Sequence, residues 1–106
     1  MRIALDYDKT YTLDPALWQA FTSAAVSRGH EVVCVTARED NEKNRSEVVI
    51  PRVPVYFTSF RSKVWYMENV EKIAIDVWVD DDPRMCAFGN PDLAAKNKRV
   101  KVRVRR

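Results

Sequence analysis

The sequence predicts an α/β fold built on a doubly wound, mostly parallel sheet, with helices on both faces, and three observations carry that expectation. Short apolar runs alternate with stretches at helical spacing through most of the chain, the pattern of crossover units that return each strand to one sheet. The runs at residues 3–5 and 32–35 are continuously apolar, as strands buried on both faces of a parallel sheet are. Acidic or hydroxyl residues come directly after the apolar runs: Asp6-Tyr7-Asp8-Lys9-Thr10, Thr36, and Asp80-Asp81-Asp82. In an open parallel sheet that edge is the ligand crevice.

The elements are taken in order. Residues 3–5 form the first strand. Asp14-Pro15 opens the first helix, because Asp caps well and proline suits the first helical position. Leu17, Phe21, Ala24 and Ala25 recur at helical spacing, and Gly29 closes the helix as a left-handed terminator. His30, the sole histidine, reads as a solvated turn residue. Residues 31–36 form a second buried strand ending in the Thr36 hydroxyl. A short helix is expected over 42–49, broken by Pro51, and a third strand over 53–58 with Pro54 near its start. Residues 62 to about 72 then form a helix with Val64, Met67 and Val70 on one face. Residues 73–79 make a fourth strand, interrupted by Asp76, which has no evident role. A helix over 83–88 and a Gly89-Asn90-Pro91 turn come next, and residues 100–105 alternate valine with basic side chains. Trp18, Trp65 and Trp78 fall on separate elements and read as core.

The 106 residues make one domain. There is no apolar run of the roughly 20 residues that a membrane span needs, and no secretory pattern at the amino terminus. Cys34 and Cys86 lack metal-ligand spacing. Cys34 sits in an apolar run as a buried thiol, which fits a reducing cytoplasm. The net charge of +3 hides an asymmetry. Residues 96–106 carry seven basic and no acidic side chains, leaving 11 basic and 15 acidic in the first 95, a net of −4. Seven cations could track a nucleic-acid backbone. The competing reading, slightly favoured, is an edge strand whose charges block edge-to-edge pairing.

Asp6 and Asp8 leave the first strand two residues apart and repel each other unless a cation or proton lies between them. Mg²⁺ takes one or two carboxylates and fills its other places with water and substrate phosphate; Asp6 with Asp80 supplies that number. Phosphoryl transfer needs an in-line nucleophile, a cation on the phosphate oxygens and donors for the equatorial charge.

Four segments together resemble the signatures of the haloacid dehalogenase-like (HAD) superfamily of phosphohydrolases. They are Ile3-Ala4-Leu5-Asp6-Tyr7-Asp8-Lys9-Thr10, then Val32-Val33-Cys34-Val35-Thr36, then Lys63 opening a helix behind Ser62, then Val77-Trp78-Val79-Asp80-Asp81. The resemblance covers residues 1 to about 88. It implies a three-layer, HAD-like Rossmannoid sheet and a phosphatase that works through an aspartyl-phosphate intermediate. Asp6 is then the nucleophile, and Asp8 the general acid and base. Thr36, Lys63 and Thr10 belong to the phosphate site. Asp6, the Asp8 carbonyl, Asp80 and Asp81 are assigned to Mg²⁺, with Asp82 the helix cap. The register among Asp80, Asp81 and Asp82 stays open by one.

The chain departs from the family in two ways. Lys9 stands where many relatives have Gly. Only 27 residues separate Asp8 from Thr36 and 26 separate Thr36 from Lys63, too few for a cap domain. The site is therefore expected to be open unless a neighbouring subunit covers it. An open site suits a phosphorylated small molecule or a nucleic-acid end, so a nucleotidase and a nucleic-acid end phosphatase stand as alternatives. So does a catalytically inactive scaffold that binds a partner.

Overall fold

The structure, a computed structural model, describes residues 1–87. The strands β1 (Arg2–Leu5), β2 (Glu31–Thr36), β3 (Val55–Phe57) and β4 (Val77–Val79) form one sheet in the order β3-β2-β1-β4, all parallel. Among the described residues, four α-helices lie between and after them: α1 (Pro15–Ser27), α2 (Glu42–Glu47), α3 (Lys63–Tyr66) and α4 (Pro83–Ala87). A 3₁₀ turn at Tyr11–Leu13 precedes α1. The expected α/β fold with a parallel sheet is therefore present. The Gly89-Asn90-Pro91 turn, the basic strand at 100–105 and the end of the last helix lie outside the described residues.

β1 and β2 are central, and their continuous aliphatic runs are buried on both faces. One apolar cluster takes Ile3, Leu5, Val32 and Cys34 with Ala25, Trp18 and Phe21 of α1. The other takes Ala4, Val33 and Val35 with Met67, Tyr66 and Trp78. Trp18 and Trp78 are thus half-buried core residues; Trp65 is half-buried but outside both clusters.

α1 starts and stops as its sequence requires. The Asp14 carboxylate accepts the Leu17 N–H at 3.1 Å. At the other end Gly29, at φ +87°, lets its own N–H reach Val26 O and the His30 N–H reach Ala25 O, both at 3.0 Å. The buried face differs from the expected one by a rotation of one residue. Trp18, Phe21, Thr22 and Ala25 face inward, while Leu17 is 53 % exposed and Ala24 is exposed. Trp18 offers more apolar area than Leu17 and takes the inward position.

Four further expectations are corrected. The helix expected over 62–72 is α-helical only to Tyr66 and continues as a π turn, Met67–Glu71, closed by Lys72 at φ +56°. The wider turn shifts the helical face presented to the sheet, so Met67 is fully buried and Val70 is 48 % exposed. β4 pairs only from Val77, because Asp76 does other work: its carboxylate accepts the Arg2 N–H at 2.7 Å, and its own N–H donates to Arg2 O at 2.8 Å. β3 is likewise shorter than 53–58, since Val53 turns back to bridge Ile50 around Arg52 at φ +63°. α2 ends at Glu47, and Val48 drops into the core instead of extending the helix.

Candidate active site

All four strands run the same way, so Asp6, Thr36 and Asp80 emerge at one edge. Asp6 stays tied to the sheet through its N–H to Val79 O at 2.9 Å. The turn over residues 7–10 brings Thr10 back beneath it, and the buried Thr10 hydroxyl donates to Asp6 Oδ2 at 3.1 Å. Lys9 occupies this turn at φ +62°, a left-handed conformation that glycine adopts without cost. The geometry explains why Gly suits this position.

Lys63 is the first residue of α3. Ser62 caps that helix by accepting the Trp65 N–H at 3.2 Å and donates its own proton to Cys86 O at 2.8 Å. α3 is thereby pinned to α4, and the Lys63 stem is held inside the sheet edge. Its ammonium donates to Asp6 Oδ1 at 2.7 Å and to Asp80 Oδ2 at 2.6 Å. The side chain is only 2 % exposed, so both bonds lie out of water. Asp80 is fixed further by the Asp82 N–H at 2.9 Å and the Cys86 thiol at 3.3 Å.

Asp81 completes the cluster. One oxygen from each of Asp6, Asp80 and Asp81 lies within 4.8 Å of the others, so this group could hold a metal ion. Hard oxygen donors suit such an ion. The charge balance fits it too, since three carboxylates face one ammonium. Burial pushes Asp6 up to about 6 from an ordinary 3.8; the Lys63 contact pulls it back only in part, and Asp80 adds to the rise. For Lys63, burial pulls downward most strongly, but Asp80 and Asp6 together outweigh it and hold the ammonium above its ordinary value.

Asp8 stands outside this group. Its half-exposed carboxylate faces Arg38, which donates from Nε at 2.9 Å and from Nη2 at 2.8 Å. Those hydrogen bonds hold Asp8 below its ordinary range. The Asp8 carboxylate thus lies apart from the acidic cluster, its charge met by Arg38 rather than by a cation shared with Asp6. Asp82 caps α4 as expected, accepting the Arg84 N–H at 3.1 Å. Thr36 is buried at the end of β2, and its hydroxyl accepts the Arg38 N–H at 3.3 Å. By hydrogen bonding it belongs with the Arg38 arm, not with the Lys63 pair.

Sequence reasoning gave Arg38 no role and read Cys86 only as lacking metal-ligand spacing. Arg38 lies two residues past the end of β2, at the crevice edge, and that position was the available signal. A cavity of about 390 Å³ also opens beside β3, lined by residues such as Val48, Val55, Tyr56 and Phe57 and rimmed by Asp40, Arg45 and Glu71. It shares no residue with the Asp6–Lys63–Asp80 centre, where the chemistry-bearing groups converge. No helix among the described residues is long and apolar enough to cross a membrane. Searches against protein-family models, curated proteins and solved structures return no match for this chain.

Proposed function

We propose that this chain is a capless HAD-like phosphohydrolase that hydrolyses a phosphate monoester at an open, Mg²⁺-dependent site. The observation that carries the reading is the buried Lys63 ammonium shared between Asp6 and Asp80 at the carboxyl edge of a parallel sheet. Apolar clusters on both sheet faces support the three-layer, doubly wound arrangement that goes with it.

In this mechanism an Asp6 carboxylate oxygen attacks phosphorus, and the bond to the leaving oxygen breaks as Asp8 gives that oxygen a proton. The Asp8 carboxylate then takes a proton from water. The water oxygen attacks phosphorus, breaks its bond to Asp6 and frees inorganic phosphate. With Asp6 titrating near 6, its nucleophilic carboxylate form prevails at pH 7 and above. Thr10 and Lys63 hold that carboxylate in place, and Lys63 with Thr36 would receive the phosphoryl oxygens. The Arg38 pair favours ionised Asp8, which readies the water-activating half; the acid half requires Asp8 to take up a proton in the loaded site. Asp6, Asp80 and Asp81, with the Asp8 carbonyl, would hold Mg²⁺, whose charge would neutralise the phosphate oxygens.

The seven cations of residues 96–106 favour a second reading with the same chemistry, a nucleotidase or nucleic-acid end phosphatase. One experiment tests both. Phosphate release is measured from nucleotides, sugar phosphates and end-phosphorylated oligonucleotides, with and without Mg²⁺, for the wild type and Asp6→Asn. The proposal expects Mg²⁺-dependent release that the variant lacks, and a marked preference for oligonucleotides selects the second reading. Release by neither protein on any substrate would leave a binding scaffold.

A further inference from the structure

We infer that Arg38 is a positioning residue that aims the Asp8 carboxylate, with the end of α2 as its buttress; this rests on the phosphohydrolase reading above. The two acids of the first loop are held differently. Asp6 is buried and gripped by Lys63 and Thr10. The Asp8 side chain is 48 % exposed, and Arg38 is its sole hydrogen-bonding partner among the described residues. A half-exposed carboxylate with no partner samples several rotamers in water. Two parallel N–H···O bonds from a planar fork select one orientation, which an ammonium cannot do.

The fork is itself fixed from every side. Nη1 donates to Glu47 Oε1 at 2.8 Å and to Asn44 Oδ1 at 3.1 Å, both on α2. The guanidinium carbon lies 5.4 Å from the centre of the Tyr7 ring, and the Tyr7 hydroxyl donates to Glu47 O at 3.2 Å. The Arg38 backbone is held as well: its N–H donates to Thr36 Oγ1, and its carbonyl accepts the Ser59 N–H at 3.1 Å. So much restraint on one surface-level arginine exceeds what a loose ion pair needs, and its direction is toward Asp8. α2, otherwise a short polar helix without a buried residue, gains a purpose as the wall behind the fork.

A group that aims a proton donor matters most when the leaving oxygen needs that proton. The test therefore compares kcat/KM on p-nitrophenyl phosphate, whose leaving group departs unaided, with kcat/KM on an alkyl phosphate, whose leaving group does not. Arg38→Ala should lose on the order of 10²-fold on the alkyl ester and less than about tenfold on the nitrophenyl ester. Arg38→Lys should recover little of this, and added guanidinium should restore part of the Arg38→Ala loss. Glu47→Gln, which keeps the fork but loosens its wall, should show the same skew at several-fold size and guards against a folding defect in Arg38→Ala. Equal losses on both esters in Arg38→Ala and Glu47→Gln would reduce Arg38 to a structural role and overturn the inference alone. Faster alkyl turnover in Arg38→Ala would overturn it too, by making the pair a restraint on Asp8. No turnover of either ester by the wild type would overturn it together with the proposed function.

Discussion

Two carboxylate–cation pairs stand at the same sheet edge, and their surroundings drive them in opposite directions. In the Asp6–Lys63–Asp80 centre the ammonium is shared and water is excluded, so burial lifts Asp6 to about 6 although a cation touches it. In the Asp8–Arg38 arm the carboxylate is half-exposed, and two hydrogen bonds hold it below its ordinary range. Each sets a carboxylate against a cation within hydrogen-bonding distance. What differs most is which effect wins: desolvation dominates at Asp6, whereas at Asp8 the Arg38 hydrogen bonds outweigh it. One edge thus keeps a buried, cation-hungry centre beside a half-exposed arm whose carboxylate is biased toward its ionised form.

The largest effect expected from this contrast is on removing Lys63. Lys63→Met would leave two buried carboxylates facing each other, and its stability at pH 8 should fall by about 3–5 kcal/mol. Denaturant titration checks this, and the deficit should shrink at pH 5, where Asp6 takes a proton. Stability like that of the wild type at pH 8 would break the contrast.

Next in size is the pH slope. A folded-state value near 6 against an ordinary 3.8 means that folded Asp6 binds its proton more tightly than the unfolded chain does. In chelated buffer, stability should then be greatest below about pH 4 and fall as pH rises through 6, by up to about 3 kcal/mol from this group. Asp6→Asn should lack that fall, and melting scans from pH 4 to 8 would show a matching slope in both proteins if the assignment is mistaken.

Millimolar Mg²⁺ should relieve the same repulsion. A hundredfold excess over Kd corresponds to about 2.7 kcal/mol of stabilisation. The rise in Tm should vanish in Asp80→Ala and persist in Asp82→Ala, whose carboxylate caps α4. The reverse ranking would move the metal pair one residue along the chain.

The smallest effect belongs to the arm. Asp8 has a lowered value, so its stabilisation is present above the ordinary carboxylate range and is lost as pH falls through the folded-state value. Half-exposure limits it to no more than about 1 kcal/mol. Arg38→Ala should lower Tm slightly at pH 7 and hardly at all at pH 3. A drop as large as that of Lys63→Met would erase the distinction between the two regions.

The same contrast marks what could be read from the chain. β1 and β2 were legible because both are buried on two faces and their aliphatic runs say so. The caps at Asp14 and Gly29 were legible because cap chemistry is local. The convergence of Asp6, Lys63 and Asp80 was legible because each lies at the end of a strand or the start of a helix, and a parallel sheet gathers those positions. The face of α1 was misread because Trp18 and Leu17 compete for the inward position, and only packing decides. The shortened β4 was hidden for a similar reason: Asp76 meets Arg2 across 74 residues. Arg38 was missed because its meaning depends on Asp8, 30 residues earlier, and on an α2 whose inward-facing groups are polar.

The central claim is that Asp6 carries the phosphoryl group, and it can be tested directly. The wild type is mixed with limiting phosphate monoester and Mg²⁺, quenched in acid within one turnover, and mapped by mass spectrometry. The account predicts a phosphoryl group on Asp6 that appears and decays as phosphate is released, and no such adduct in Asp6→Asn. Phosphate release with Asp6 unmodified throughout, or with the phosphoryl group on another residue, would contradict it.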